Sequence, residues 1–153
     1  MPTRTSPVRA RVAATLLGVV ILATGVAGCM PSQERTFLSR TNDLRSSVGV
    51  APLQENDVLT RKAEDWAHHM AQTGQLEHSR LSDGLGSLSW SALGENVAMS
   101  SPTSNTLLSL FNMLASSSGH RANMVNSGFT HMGVGVAQDS AGNLWVTEVF
   151  ARL

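Results

Sequence analysis

The chain has 153 residues, balanced at eleven Lys/Arg and eleven Asp/Glu, with no tyrosine and one cysteine. From Cys29 onward there are eight Lys/Arg against eleven Asp/Glu, a net charge of −3. A weakly acidic chain with no basic stripe argues against nucleic acid as a partner, and one cysteine excludes a disulfide within the chain.

Residues 1–28 read as a removable leader. Arg4, Arg9 and Arg11 form a positive head, and Val12 to Val26 is an apolar run interrupted only by small residues. That run is short for a membrane span and fits a secretory signal. It ends in Val26-Ala27-Gly28-Cys29, which resembles a bacterial lipobox, with Cys29 as the lipidated N-terminus after cleavage. Two or more acyl chains, at about 0.8 kcal/mol per buried methylene, would hold the protein stably on a bilayer. Lipidation also removes the thiol of a lone cysteine in an oxidising compartment. Residues 29–36 then form the lipidated N-terminus and a short tether, and residues 37–153 form one domain large enough for its own core.

Within that domain Phe37, Leu38, Thr41, Leu44 and Val48 recur at helical spacing, and Gly49-Val50-Ala51-Pro52 stops the helix. Asn56 or Asp57 can cap a second helix whose stripe is Leu59, Ala63, Trp66, Ala67 and Met70, with Gly74 at its end. His68 and His69 fall at the edge of that stripe and read as solvated or partly covered. Gln75 to Ser101 is rich in serine and glycine and reads as loop. A third helix follows Pro102 with Leu107, Leu110, Phe111 and Leu114 on its buried face. Ser116-Ser117-Ser118 breaks it and caps a short fourth helix through Met124. Two strands, about Met132 to Ala137 and Leu144 to Ala151, close the chain around the turn residues Asp139 to Asn143. Helices followed by an antiparallel hairpin indicate an α+β fold, and the lack of alternation argues against a Rossmann-type sheet.

His78, Glu95 and His120 are the polar residues that stand out, each beside a small residue at the border of an apolar segment. Two imidazoles and a carboxylate are a set that zinc accepts with a position open for water, or that general acid–base chemistry uses. Spacing alone leaves a third reading open, in which the three have unrelated local roles.

Several segments in order carry a resemblance: Leu76-Glu77-His78-Ser79, Gly94-Glu95-Asn96-Val97-Ala98, Gly119-His120-Arg121-Ala122-Asn123-Met124, the run Phe129 to Ala137, and Trp145-Val146-Thr147-Glu148-Val149-Phe150. With Pro52-Leu53 and Ala63-Trp66-Ala67 upstream, the chain from about Phe37 to its end resembles the bacterial branch of the CAP superfamily, also called SCP-like or PR-1-like. The resemblance implies a three-layer α-β-α sandwich with a central groove, where members often place two histidines and two glutamates and some bind zinc. His78, Glu95 and His120 match three of those four positions. The second glutamate is missing: the helix before His120 reads Leu110-Phe111-Asn112-Met113-Leu114-Ala115, and no acid stands from Val97 to Gln138. The tryptophan common ahead of the Gly-His-Arg motif is replaced by Leu114. A groove with one carboxylate fewer has a weaker charge balance for zinc.

The neighbours of this set have paired readings. His131 is either an alternative groove ligand or locally hydrogen-bonded and packed on Phe129. Arg121 either binds an anionic ligand or makes an internal ion pair or carbonyl contact. Asn96 and Asn123 are expected to satisfy loop backbone, Glu148 to be solvated or ion-paired, and Trp90 and Trp145 to pack in the core or at its rim. No Gly-x-Ser-x-Gly elbow or other activated nucleophile is visible. The expectation is therefore a non-enzymatic binding or scaffold module at the cell envelope, with a groove for a divalent metal or a small apolar ligand. Candidate partners are a lipid, a peptide or an envelope component. The alternative is a zinc-dependent hydrolase of peptide or envelope material, with Glu95 as a ligand or base.

Overall fold

A computed structural model describes Met1 and residues 32–153; the leader and Cys29 lie outside the described residues, and so does the lipidation expected there. Helix α1 spans Ser32–Ser47, strand β1 Gln54–Glu55, α2 Asp57–Thr73, β2 Ala92–Ser100, α3 Thr106–Ser116, α4 Ser118–Met124, β3 His131–Gln138 and β4 Leu144–Arg152. The four strands form one sheet in the order β1-β3-β4-β2, with β1 parallel to β3 and the other pairs antiparallel. No helix among the described residues is long and apolar enough to cross a membrane.

Side-chain alternation along the strands assigns each face of the sheet to one helical layer. Met132, Val134, Val146 and Phe150 join Phe37, Leu110, Leu114 and Met124 in the larger core, between the sheet and α1, α3 and α4. Val149 and Ala151 point the other way and pack with Leu59 and Ala63 of α2, while Val97 and Trp145 meet Met70 further along the same helix. The result is an α+β three-layer α-β-α sandwich. Leu144 to Ala151 is buried throughout because β4 is central and covered on both faces.

The second layer sits unusually close. A Cβ on Gly133 would lie 2.1 Å from the Leu59 carbonyl carbon, and one on Gly135 2.2 Å from the Ala63 carbonyl carbon. The helix backbone therefore rests on the strand backbone at two glycines one inward position apart. Asn56 caps α2 by accepting from the Val58 and Leu59 N–H groups at 3.0 and 3.2 Å, and Gly74, at φ 69°, closes it with its N–H on the Met70 carbonyl.

Four sequence expectations change. The serine- and glycine-rich stretch is a loop only as far as Ser91: Ala92–Ser100 is the nine-residue edge strand β2, and Gln54–Glu55 adds β1, so the sheet has four strands rather than two. The tether expected over residues 29–36 overlaps α1, which begins at Ser32. Glu34 is already buried there, and its carboxylate accepts from the Val136 N–H at 3.2 Å. Val48 falls outside the helix and is exposed. Ser117 occupies the N-cap position of α4 but makes no side-chain cap hydrogen bond.

Gly135→Ala forces a methyl group into helix backbone that has no flexible side chain to give way. The expected loss is about 3 kcal/mol or more, read by urea denaturation as a lower midpoint at unchanged slope.

Candidate functional site

The groove residues come together at the β2 edge of the sheet. His78 and Ser79 arrive on the loop after α2, Glu95 and Asn96 stand next to each other on β2, and His120 and Asn123 arrive on α4. Alternation sends Glu95 and Asn96 to opposite faces of the strand. Glu95 meets the loop on the α2 side, and Asn96 meets α4 on the other.

The Glu95 carboxylate is 6% exposed and both of its oxygens are engaged. Oε1 lies 2.8 Å from His78 Nδ1 and accepts from the Ser79 N–H at 2.9 Å, while Oε2 accepts from the Ser79 hydroxyl at 2.5 Å. This carboxylate orients the His78 ring and anchors its loop. The His78 side chain is 62% exposed, and its Nε2 has no hydrogen-bond partner among the described residues.

On the other face, Asn96 Nδ2 donates to the His120 carbonyl at 3.1 Å and to Glu148 Oε2 at 2.8 Å. Asn123 Nδ2 donates to Asn96 Oδ1 at 2.9 Å and to the Glu95 carbonyl at 3.1 Å. The two asparagines thus lock α4 onto the edge strand rather than serving a loop. His120 Nδ1 is buried with no hydrogen-bond partner among the described residues. Burial, and then the nearby His78, hold the His120 ring below its ordinary pKa of 6.5.

Glu148 corrects a second expectation. It is 0% exposed, neither solvated nor ion-paired, and takes hydrogen bonds from Asn96 and from the Thr41 hydroxyl at 3.4 Å. The Arg121 side chain makes no hydrogen bond or ion pair among the described residues; its bonds there are those of its backbone, to Ser117 and Val125, so the internal side-chain contact expected for it is absent. His131 takes the local reading: its Nδ1 lies 2.8 Å from the Thr130 hydroxyl, and β3 is separated from β2 by β4. Trp145 is core, with its indole N–H on Asp139 Oδ2 at 2.9 Å, whereas Trp90 is exposed. His68 is exposed, and His69 stacks on Trp66 at 4.6 Å and lies 3.5 Å from Glu77.

Sequence reasoning missed Lys62 and Trp66 as cleft residues. Lys62 Nζ donates to the Ser79 hydroxyl at 3.0 Å and the Arg80 carbonyl at 2.9 Å. Beside His78 these residues, with Glu77, Arg80 and Asp83, line a cleft of about 400 Å³. Their signal was a lysine at a core-facing position of α2, legible only once the loop is folded over it.

The donor set does not fit a catalytic zinc. Such a site uses three protein ligands, but both oxygens of Glu95 already hold His78 and Ser79. Among the described residues no three His, Cys, Asp or Glu side chains are grouped to hold a metal ion.

With sandwich and groove in place, the class of protein is defined: the chain belongs to the CAP family, the cysteine-rich secretory protein family, which matches residues 38–150. It is 25% identical over 136 residues to the uncharacterized protein YkwD of Bacillus subtilis (strain 168), a match covering 84% of this chain and 51% of that protein. The chain therefore spans about half the length of this curated relative. An extracellular SCP-domain protein from Bacillus anthracis str. Ames has the same fold at a TM-score of 0.66 and 23% identity, over 84% of this chain and 45% of that one. An outer surface protein from Borrelia burgdorferi aligns at a TM-score of 0.68 and 15% identity, over 77% of this chain and 90% of that one.

A depressed His120 pKa favours the neutral ring in the fold. Its contribution to stability is full above 6.5, the unfolded value, and is lost as pH falls through the folded value. An NMR titration should place the His120 midpoint below 6.5, and His120→Gln should flatten the acid side of the stability profile.

Proposed function

We propose that this chain is an exported CAP-domain protein, anchored through Cys29 to the outer face of a bacterial membrane, whose groove binds a ligand without transforming it. The observation that carries this reading is the state of the carboxylates. Glu95 holds His78 and Ser79 with both oxygens, and Glu148 is sealed behind Asn96. Neither is free to activate water, and no activated nucleophile stands in their place among the described residues.

What the groove offers a ligand is recognition chemistry. The exposed His78 ring adjoins a cleft whose lining combines Trp66 with charges of both signs, Lys62 and Arg80 against Glu77 and Asp83. Of a lipid, a peptide or another envelope component, such a lining favours a peptide with both charges over an apolar molecule. Export and anchoring rest on the leader and on Val26-Ala27-Gly28-Cys29. Cys29→Ser should move the protein from the membrane fraction to the medium or leave an uncleaved precursor. Mature, membrane-bound protein in that variant would remove the anchor from this reading.

One observation favours a second reading, a zinc-dependent hydrolase. A carboxylate on Nδ1 of His78 resembles the outer-shell support that metal-binding histidines receive, with His120 nearby. Two imidazoles are too few for a catalytic site, so no hydrolytic step follows. Calorimetric titration of zinc into the purified full-length chain decides between them. The expected heat is the same for wild type and His120→Ala, and casein is not cleaved with or without zinc. Micromolar zinc binding lost in His120→Ala, together with zinc-dependent cleavage, would establish the hydrolase instead.

A further inference from the structure

Glu148 is the one carboxylate of the described residues that is 0% exposed. It is directly opposite Asn96 on β2 and Val134 on β3. Its neighbours supply few partners. From α1 comes the Thr41 hydroxyl, at 3.4 Å, a long contact; from β2 comes the Asn96 amide; from β3, an apolar Val134. The guanidinium one turn beyond Thr41, Arg45, is committed to the carbonyls of Ala51, Met124, Asn126 and Phe129. Of the two ionisable groups on α4, His120 meets this network through its backbone carbonyl, and the Arg121 side chain makes no hydrogen bond or ion pair with it. An ionised carboxylate has four or so acceptor positions, and burial without a cation disfavours its charge. Its pKa is accordingly pushed up to about 7 by burial, against the pull of the Asn96 and Thr41 hydrogen bonds.

The same Asn96 amide that bonds Glu148 also bonds the His120 carbonyl, and its oxygen holds Asn123. Whatever changes the acceptor strength of Glu148 is therefore felt by two of the three hydrogen bonds that hold α4 to the edge strand; the third, Asn123 on the Glu95 carbonyl, bypasses Asn96. We propose that Glu148 is a proton-linked positioning residue: its carboxyl group, sealed between α1, β2 and β4, sets through Asn96 the seating of α4 and hence the position of His120 in the groove. Charged, Glu148 draws the Asn96 amide toward itself; protonated, it is a weaker acceptor and leaves that amide to the His120 carbonyl. The groove of an exported protein would then respond to the acidity of its surroundings, whatever ligand it takes.

The sign follows from a raised pKa. Between the ordinary value of 4.5 and about 7 the folded chain holds the proton more tightly than the unfolded chain. Stability from this group is full below that window and falls as pH rises through it. Glu34, also raised by burial, acts in the same direction, and His120, lowered, in the opposite one; the difference between wild type and Glu148→Gln isolates Glu148.

The test follows the wild-type chain and Glu148→Gln by NMR from pH 5 to 9, reading the Glu148 carboxyl carbon and the backbone amides of His120, Arg121 and Asn123. The expected result is a Glu148 midpoint well above the ordinary carboxylate range, with a step at the same pH in the α4 amides that disappears in Glu148→Gln. From pH 5 to 8 the unfolding equilibrium constant of wild type should rise relative to that of the variant by on the order of a hundredfold. If Glu148→Gln does not fold, Thr41→Val removes a donor to the charged form and should move the shared midpoint upward. A Glu148 midpoint in the ordinary range, or an α4 step at the Glu148 midpoint that persists in Glu148→Gln or ignores Thr41→Val, overturns the proposal; the separate step of the His120 ring, below 6.5, belongs to both chains. A purely structural Glu148 would change stability without a shared midpoint at α4.

Discussion

The seating of α2 on β3 governs the geometry of everything around it. Two glycines bring helix and strand backbones together where side chains would otherwise keep them apart, and interaxial distances in ordinary packing are set by those side chains. Close seating fixes the height of α2 above the sheet. That height determines where the loop after Gly74 crosses, where Lys62 meets Ser79, and where His78 reaches Glu95. The glycines lie on the strand rather than the helix, so α2 keeps its propensity while β3 yields its side chains.

The groove is assembled from two separate polar systems that share an edge strand. On the α2 side, Glu95 organises a loop and leaves an imidazole exposed. On the α4 side, amides and a sealed carboxylate fix a short helix. Consecutive residues on β2 feed the two systems because a strand turns successive side chains to opposite faces. A change in either system would reach the other most directly through the backbone of Glu95 and Asn96, where Asn123 touches both.

The α-helices and the closing hairpin were legible because their apolar periodicities are long and interrupted by strong stop signals, as at Gly74 and at Asp139 to Asn143. Strand β2 was not. Gly94, Glu95 and Asn96 all disfavour strands intrinsically, and only pairing along the whole of β4 makes them one. In the sequence, family resemblance rather than spacing groups His78, Glu95 and His120. It did not reveal that Glu95 has no free oxygen, since Ser79 is one of several serines in a serine-rich stretch. Glu148 was misread for a related reason. A glutamate between Thr147 and Val149 looks like the outward residue of a half-exposed strand, but β4 is covered on both faces, so no outward side exists.

Arg45 gives the long N-terminal helix a different kind of attachment. Its side chain is 1% exposed and bonds only backbone carbonyls, one from the last residue of α4 and two from the segment between α4 and β3. Peptide oxygens neither gain nor lose protons across the range in which carboxylates and imidazoles do, and a guanidinium stays charged throughout. This joint is therefore indifferent to acidity, while the contact one turn earlier, Thr41 on Glu148, is not. Within one turn the helix therefore carries a contact that acidity leaves alone and one that it reaches.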